Sequence, residues 1–225
     1  NGVEGIERYR ISSIEPNLLT EEIVRWIASG TKFLPHFHIP LQSGCDTVLA
    51  AMKRRYTTDM FRSKIELIRE NMSHVFFGID VIVGFPGETE EDFEELCEFV
   101  KETKFDRAGV FTYSREEDTP AYRMTEQIEE DGKFRRRDIV MEEQSRISDA
   151  CNEAMIGKTI RVLVEDFDPV SEMHFGRGDA DAPEIDGKVY FSARRRIAPG
   201  SIVSVKIGDV LDYDLCGKAL LFPEA

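Results

Sequence analysis

Four stretches of the sequence place polar residues that could bind a ligand within or just after short apolar runs. These residues are Ser13 and Glu15, then His38, Gln42 and Ser43, then Asp80 and Gly84, and finally Tyr113, Ser114 and Arg115. Carboxylates, hydroxyls, an amide and an imidazole brought together can hold the polar groups of a small organic ligand. If the apolar runs are parallel strands, their carboxyl ends meet at one edge, where α/β proteins bind ligands. The spacing therefore predicts a ligand pocket formed by strand ends, in which no single residue identifies the ligand.

The stretch from Gly78 to Gly87 is the clearest strand-and-turn signal in the chain. Ile79, Val81 and Val83 belong to a short β-branched run, which is typical of a buried parallel strand. The glycines and the proline that follow predict a tight turn at its carboxyl end. Asp80 lies inside this apolar run, and a buried carboxylate needs a partner. It is either a ligand contact or a structural hydrogen-bonding group.

A helix is predicted directly after that turn, from Glu88 to about Lys104. Thr89 is a good N-cap residue, and Asp92 follows three residues later, close to a capping-box arrangement. The acids of residues 90–92 also favour the positive end of a helix. We therefore interpret this acidic group as helix capping rather than as acid–base chemistry.

The histidines offer limited metal chemistry. His36 and His38 would share one face of a strand and could ligate a metal, but no third ligand of a suitable type stands nearby. We therefore predict a structural strand without a metal site, in which His38 is a polar lining residue of the pocket. His74 and His174 are isolated in the sequence and are predicted to be exposed.

The cysteines do not form a recognisable motif. Cys45, Cys97, Cys151 and Cys216 show neither C-x-x-C spacing nor the density of a disulfide framework. They are predicted to be reduced and mainly buried. No Ser/His/Asp or Cys/His arrangement has a recognisable spacing either, so no catalytic residue is assigned.

Strand and helix patterns alternate along the first two thirds of the chain. Besides the strand before Gly84, strands are predicted at residues 9–14, 36–41 and 107–114, and helices at 17–29, 46–52, 58–71 and 129–155. In the first of these helices, Leu18, Leu19, Ile23, Trp26 and Ile27 are expected to face inward. Repeated strand-then-helix units predict an α/β fold, as a parallel sheet or part of a TIM-like barrel.

The pattern of apolar residues in the sequence changes at Gly157. After it, short alternating runs such as Ile160 to Val164 and Val203 to Ile207 are separated by Gly, Pro and Asp at hairpin-like spacing. This pattern is typical of a small all-β, OB-like barrel. We therefore predict two domains, residues 1–157 and residues 158–225.

Composition limits the classes of function. The chain has 225 residues and a net charge of −14, which argues against unaided binding of a polyanion and suits a basic partner. No apolar run is long enough to span a bilayer and no signal-peptide pattern opens the sequence, so a cytoplasmic protein is expected. The basic runs at residues 53–55 and 135–137 are predicted to be solvated helix faces. A third run, residues 194–196, falls in a predicted loop of the β module.

Several motifs together resemble the radical-SAM methylthiotransferase family. They are Arg10-Ile-Ser-Ser-Ile-Glu-Pro16, His38-Ile-Pro-Leu-Gln-Ser-Gly44, Asp80-Val-Ile-Val-Gly-Phe-Pro-Gly-Glu-Thr89, Phe111-Thr-Tyr-Ser114 and Thr119-Pro-Ala121. The resemblance covers essentially the whole chain, and the module after Gly157 is similar to the TRAM domain of this family. It implies a partial radical-SAM barrel followed by a TRAM barrel.

The resemblance also implies cofactors and a mechanism. A [4Fe–4S] cluster held by a C-x-x-x-C-x-x-C loop reduces S-adenosylmethionine (SAM), the radical formed abstracts hydrogen, and sulfur and a methyl group are then added. The ten strand-end residues named first are assigned to SAM. The cysteine triplet is missing from this sequence. We therefore expect the carboxyl-terminal part of an enzyme whose clusters are held elsewhere, inactive when isolated.

Two features favour the RimO branch, which modifies an aspartate of small-subunit ribosomal protein S-twelve. The sequence around Phe105 to Glu116 and that around Asp181 to Gly187 resemble this branch, and residues 158–225 hold nine Lys and Arg against twelve Asp and Glu. An acidic module suits a basic protein. Substrate docking, or bracing of the docking loop, is assigned to Asp181, Glu184, Asp186 and Arg194.

Two alternatives remain open. Gln42-Ser-Gly44 and Arg54-Arg-Tyr-Thr57 are more similar to the branches that modify an adenosine beside the tRNA anticodon. A degenerate half-barrel with a TRAM module could instead be a non-catalytic binder of ribosomal protein or RNA.

Overall fold

A computed structural model describes residues 2–183 and 185–220 of the chain. By their internal contacts the residues divide into two compact units, Asn1–Ile147 and Ser148–Ala225. Within the described residues, no helix combines the length and the apolar character that a membrane span requires. Each unit is described by itself.

The first unit is built on a parallel sheet. Its strands β1 (His36–His38), β2 (Phe76–Val83) and β3 (Arg107–Thr112) lie in the order β1-β2-β3 and are parallel throughout. Parallel strands cannot be joined by hairpins, and helices make the crossovers between them. Three neighbouring parallel strands with helical connections confirm the predicted α/β class and correspond to a partial barrel.

Among the described residues, the strand predicted at 9–14 does not form and the strand predicted at 36–41 is shorter. The stretch 9–14 is held to its neighbour only by single bridges, Tyr9 to Phe33 and Ser13 to His38. The strand predicted at 36–41 ends at His38, because Pro40 has no backbone N–H to continue the ladder. The chain nevertheless stays beside β2, since the N–H of Gln42 donates to the carbonyl of Asp80 at 2.8 Å.

The helices that begin in this unit are α1 (Glu21–Ala28), α2 (Asp46–Ala51), α3 (Thr58–Asn71), α4 (Glu90–Thr103) and α5 (Glu130–Glu153), with short 3-10 turns at Pro16–Leu18 and Ala121–Arg123. The helix predicted at 17–29 is divided, because the side chain of Thr20 caps a new helix by accepting from the N–H of Ile23. The inward positions expected there were partly wrong, since Leu18 and Trp26 are exposed and Val24 is buried.

The capping box predicted for α4 is confirmed. Thr89 accepts a hydrogen bond from the N–H of Asp92, and the Asp92 carboxylate accepts one from the N–H of Thr89. The helix then buries Phe93, Leu96 and Val100 in the core of the unit. These contacts fix the direction of the helix as it leaves the turn after β2.

The second unit is a closed barrel. Its strands are β4 (Thr159–Asp168), β5 (Met173–Arg177), β6 (Val189–Ser192), β7 (Ile202–Leu211) and β8 (Asp214–Ala219), and they close in the order β4-β5-β6-β8-β7. The interior holds apolar side chains from alternate positions, namely Val162, Val164, Val189, Phe191, Val203, Val205 and Ile207. The predicted small all-β, OB-like module is confirmed.

His174 was predicted to be exposed, and this prediction was wrong. Its side chain is buried in the barrel, where its Nε2 atom accepts a hydrogen bond from the N–H of Ile197 at 2.9 Å. The ring stacks on Phe191 with the centroids 5.4 Å apart. An isolated histidine gives no sequence signal of burial, because the neighbours that enclose it come from distant strands. His74, in contrast, is exposed as predicted.

The burial of His174 predicts a pH dependence of barrel stability. Burial, and then the nearby charge of Arg196, lower the pKa of His174 below its ordinary value. The unfolded chain therefore binds a proton at a higher pH than the folded barrel does. The stability that the neutral His174 contributes to the barrel is fully present above the ordinary histidine pKa of about 6.5, and it is lost as the pH drops below that value.

This dependence is measured by urea unfolding of the chain and of a His174→Gln variant between pH 8 and pH 5, read by hydrogen exchange of the barrel strands. The variant keeps the same carboxylates, so the difference between the two slopes reports the histidine alone. We expect the steeper loss of stability towards pH 5 in the wild-type chain. Parallel curves would refute the assignment.

Candidate functional site

Three side chains form a hydrogen-bonded row across the sheet. Ser13 Oγ lies 2.8 Å from His38 Nδ1, and His38 Nε2 lies 3.1 Å from Asp80 Oδ2. The row exists because Ser13 bridges His38 in parallel register, and β1 pairs with β2 so that His38 faces Gly78, two residues before Asp80. Side chains two residues apart on a strand share a face. No Ser/His/Asp spacing is recognisable in the sequence, because spacing along the chain does not reveal contacts between strands.

The same face of the sheet is open beside Asp80. Gly109 is its register partner on β3, and a Cβ at Gly109 would lie 2.8 Å from Asp80 Oδ1. The carboxylate therefore leans across a position that must be small. Phe111, two residues further along β3, is 56% exposed. A partly exposed acid–imidazole pair beside an exposed aromatic ring can bind a ligand that has both polar and flat apolar parts.

Glu15 lies near the same edge and pairs with a residue from the helix-rich part of the unit. Arg54 Nη1 donates to Glu15 Oε1 at 3.1 Å, and both side chains are partly exposed. The hydroxyl of Tyr56 donates towards the carbonyls of Pro40 and Leu41, each at 3.1 Å. Burial raises the pKa of Tyr56 to about 12, so it remains a neutral donor. These contacts hold the segment after β1 in place.

The turn after β1 contains Gln42 and Ser43. Gln42 has a φ of 67°, in the left-handed region. Ser43 is fully buried, and its hydroxyl accepts a hydrogen bond from the N–H of Cys45 at 3.2 Å. A Cβ at Gly44 would lie 2.7 Å from Leu96 Cα, so this turn packs closely against α4.

Cys45 follows this turn and is the buried cysteine among the four free thiols. Its Sγ donates to Asp92 Oδ1 at 3.1 Å. Burial raises the pKa of Cys45 to about 12, so the thiol stays protonated. The expectation of mainly buried cysteines was wrong for Cys97, Cys151 and Cys216, which are only partly buried.

The turn after β2 is held by a buried ion pair. Glu88 Oε2 accepts from the N–H of Gly84 at 2.6 Å and from Arg136 Nη1 at 2.6 Å, and Arg136 Nη2 donates to Glu90 Oε1 at 2.7 Å. The Glu88 side chain has no exposed area, and Arg136 is 5% exposed. Burial raises the pKa of Glu88, opposed by the Gly84 N–H and by Arg136.

The turn after β3 contains Tyr113, Ser114 and Arg115. The N–H of Tyr113 donates to the carbonyl of Val83 at 2.9 Å, which continues the β2–β3 pairing beyond the strands. Ser114 Oγ donates to Glu116 Oε1 at 2.6 Å. The guanidinium of Arg115 donates twice to the carbonyl of Tyr122, at 3.0 and 2.9 Å. Ser114 and Arg115 therefore brace their own loop.

In the second unit, two of the predicted docking residues close a loop. Asp181 Oδ2 accepts from the N–H of Gly178, and Asp186 Oδ2 accepts from the N–H of Ala182, each at 2.7 Å. Arg194 is exposed in the loop after β6, as predicted for this basic run. Glu184 lies outside the described residues. The two aspartates are placed to brace the loop, and docking stays a prediction for all four.

Sequence reasoning missed the groups that hold the strand-end turns. Arg136 lies in a basic run that was predicted to be solvated, yet it is buried against Glu88. Arg54, in the other basic run, pairs with Glu15. Lys133 is 3% exposed and was not singled out. The signal available in the sequence was the helical spacing of Lys133, Arg136 and Val140, which places all three on the inward face of one helix. Only Val140 is apolar, so this face lacks the apolar pattern by which an inward helix face is normally recognised.

Comparisons with known proteins agree with the fold of the two units. A family model described as the radical SAM superfamily matches residues 3–100, and a TRAM domain model matches residues 156–220. Among solved structures, coproporphyrinogen III oxidase (HemN) from Escherichia coli, described as a radical SAM enzyme, is similar with a TM-score of 0.50. It is 19% identical and covers 64% of this chain and 32% of its own, so the similarity concerns the fold alone. The parallel sheet, the closed barrel and the two family matches together define a radical-SAM protein with a TRAM domain.

Sequence relatives narrow this class. The ribosomal protein uS12 methylthiotransferase RimO of Clostridioides difficile is 41% identical over 218 residues, which are 97% of this chain and 49% of that protein. The protein of the same name from Acetivibrio thermocellus is 39% identical over 220 residues, 98% of this chain and 49% of its own. The chain thus spans about half the length of the curated relatives it matches. It belongs to the RimO branch of the radical-SAM methylthiotransferase family.

Proposed function

We propose that this chain is part of an enzyme that methylthiolates ribosomal protein uS12. The observation that carries the proposal is the identity of about 40% to uS12 methylthiotransferases over nearly the whole chain, across both the sheet and the barrel. A net charge of −14 supports a basic protein as substrate rather than a nucleic acid. We place the enzyme in the cytoplasm, where its substrate is made.

We infer that the strand-end edge of the sheet holds S-adenosylmethionine. The ammonium and ribose hydroxyls of this cofactor need acceptors, its carboxylate needs donors, and its adenine needs a flat apolar surface. Glu15 and Asp80 supply carboxylates, Arg54 supplies a guanidinium, and Phe111 supplies a ring that is 56% exposed. These residues fit the cofactor. When bound, it supplies the radical and methyl chemistry, while the chain binds and orients it.

The remaining cofactor contacts are proposed at the positions predicted from sequence. These are Ser13, His38, Gln42, Ser43, Gly84, Tyr113, Ser114 and Arg115. Support is strongest for Ser13 and His38, which share the open row with Asp80. Ser43 is buried and Arg115 donates to its own loop, so any contact from these two is through the backbone.

An iron–sulfur cluster does not fit the side chains of residues 2–183 and 185–220. Across that part of the chain, no three His, Cys, Asp or Glu side chains converge as a metal requires. Cys45 is protonated and bonded to Asp92. We propose that the cluster ligands of the full-length enzyme lie outside this chain, and we assign no step to a cluster held by the residues described here.

We also propose a junction between the two domains at Gly157, with residues 1–157 forming part of the radical-SAM core and residues 158–225 the TRAM domain. The TRAM match begins at residue 156, and α5 ends at Glu153. Gly157 has a φ of 84°, which suits a chain reversal after a helix. The contact-based division falls earlier, at Ile147, inside α5.

The proposal is tested on the full-length protein after anaerobic reconstitution with iron and sulfide. The protein is incubated with SAM and a reductant together with uS12, and in parallel with tRNA, and both are analysed by mass spectrometry. We expect a mass gain of one methylthio group on uS12. A gain only on tRNA adenosine would establish the tRNA-modifying alternative, and binding without a gain on either would favour a non-catalytic module.

A further inference from the structure

Helix α5 places two buried cations against the turns that follow β2 and β3. The side chains of Lys133 and Arg136 are 3% and 5% exposed. Burying a cation is unfavourable unless hydrogen bonds and counter-charges replace its hydration. Two such residues one turn apart on one helix therefore call for an explanation beyond packing, and their partners supply it.

Lys133 contacts both turns with a single side chain. Its Nζ donates to the carbonyl of Tyr113 at 3.0 Å, on the turn after β3, and to Glu130 Oε1 at 2.6 Å. Its aliphatic stem lies against Gly84, on the turn after β2, and a Cβ at Gly84 would overlap the stem. The ammonium fixes one turn while the stem limits the other.

Arg136 reaches the turn after β2 from the same helix. Its Nη1 donates to the backbone carbonyl of Glu88 at 3.0 Å and to Glu88 Oε2 at 2.6 Å. That carboxylate oxygen in turn accepts from the N–H of Gly84 at 2.6 Å. The order Arg136, Glu88, Gly84 is thus a continuous chain of charge-assisted hydrogen bonds from α5 to the first residue after β2.

Both turns belong to the edge where we place the cofactor, and binding groups must be held to within about 0.5 Å to be effective. Resting on that proposed function, we propose that Lys133 and Arg136 are positioning residues of the S-adenosylmethionine site. They touch no part of the cofactor themselves. They fix the turns at residues 84–88 and 113–115, whose backbone groups then meet the ligand without reorganisation.

The test uses the full-length, cluster-containing protein. Lys133→Met keeps the stem and removes the ammonium, whereas the control Glu130→Gln removes only the exposed partner of Lys133. Arg136→Lys is a second variant, which keeps a buried cation but loses the guanidinium fork that binds Glu88 through Nη1 and Glu90 through Nη2. Hydrogen exchange of the two turns is measured without ligand, and SAM affinity is measured by equilibrium dialysis.

We expect Lys133→Met to speed exchange in both turns and to weaken SAM binding about tenfold, with Glu130→Gln within about twofold of wild type. Arg136→Lys should speed exchange mainly at residues 84–88 and weaken binding in the same direction. SAM affinity within twofold of wild type in both variants, with the wild type binding normally, would overturn the positioning role alone. Failure of the wild-type protein to bind SAM would overturn the proposed function and this inference together.

Discussion

Replacing Arg136 with methionine is expected to lower the free energy of unfolding of the first unit by about 3–5 kcal/mol. The substitution keeps most of the side-chain volume and removes the counter-charge of Glu88, whose side chain has no exposed area. It also removes the donor to the backbone carbonyl of Glu88. Leaving a carboxylate buried without its cation costs far more than the pair contributes over an apolar replacement.

The neighbouring arginine provides a matched control. Arg135 pairs with Glu90 at 2.7 Å, but its side chain is 53% exposed, so Arg135→Met should cost less than about 1 kcal/mol. Urea unfolding is followed by the fluorescence of Trp26, the single tryptophan of the chain. Adding Glu88→Gln to Arg136→Met should recover part of the loss, because the amide keeps an acceptor for the Gly84 N–H without the charge. Equal losses in the two arginine variants would refute the account.

The local elements of the fold could be predicted because their signals are local. The run from Ile79 to Val83, the capping pair Thr89 and Asp92, and the alternation of Val203 and Val205 all act within a few residues. Most of the predicted elements are present in the structure, although the strand predicted at 9–14 forms only isolated bridges. The ends of elements were less predictable: Pro40 ends the regular strand early, although the chain still follows β2 beyond it.

The candidate site was predictable only in outline. The strand-end pattern of the sequence placed Ser13, His38 and Asp80 at one edge of the sheet. The contact among their side chains depends on the register between segments that are 25 or more residues apart. Register is set by the packing of whole faces and is not visible in spacing. The sequence could therefore indicate the edge and most of its polar residues, while the hydrogen-bonded row emerged only from the fold.

The groups behind the site were hidden for a different reason. The inward stripe of α5 consists of Lys133, Arg136, Val140, Gln144 and Ile147. An inward face is normally recognised by apolar residues at helical spacing, and this one is polar at three of its five positions. Its partners are backbone carbonyls and glutamate carboxylates; Gln144, for example, donates to the carbonyl of Phe105 at 2.8 Å. A helix that packs through hydrogen bonds has a polar inward face, so its amino-acid composition is similar to that of a helix exposed to solvent.

The barrel predicts the second large effect, at Gly176. This residue of β5 faces Val164 of β4, next to the irregularity between Val164 and Asp166. A Cβ at Gly176 would overlap the carbonyl oxygen of Leu163 and lie 2.9 Å from its carbonyl carbon. Backbone cannot move aside as a flexible side chain can, so β4 and β5 must separate. Gly176→Ala is expected to destabilise the second unit by about 3 kcal/mol.

Gly208→Ala is the matched control for this prediction, since it adds the same methyl group to another barrel strand. A Cβ at Gly208 meets no atom within 4 Å, so the free energy of unfolding should change by less than about 0.5 kcal/mol. The measurement is urea unfolding of the whole chain, read by hydrogen exchange of β4 and β5 and separately of β1 to β3. Gly176→Ala should accelerate exchange in β4 and β5 at urea concentrations where the Gly208 variant remains protected. If the two variants behaved alike, the backbone at Leu163 would shift at little cost in free energy. The close approach of β4 and β5 would then not limit the stability of the barrel.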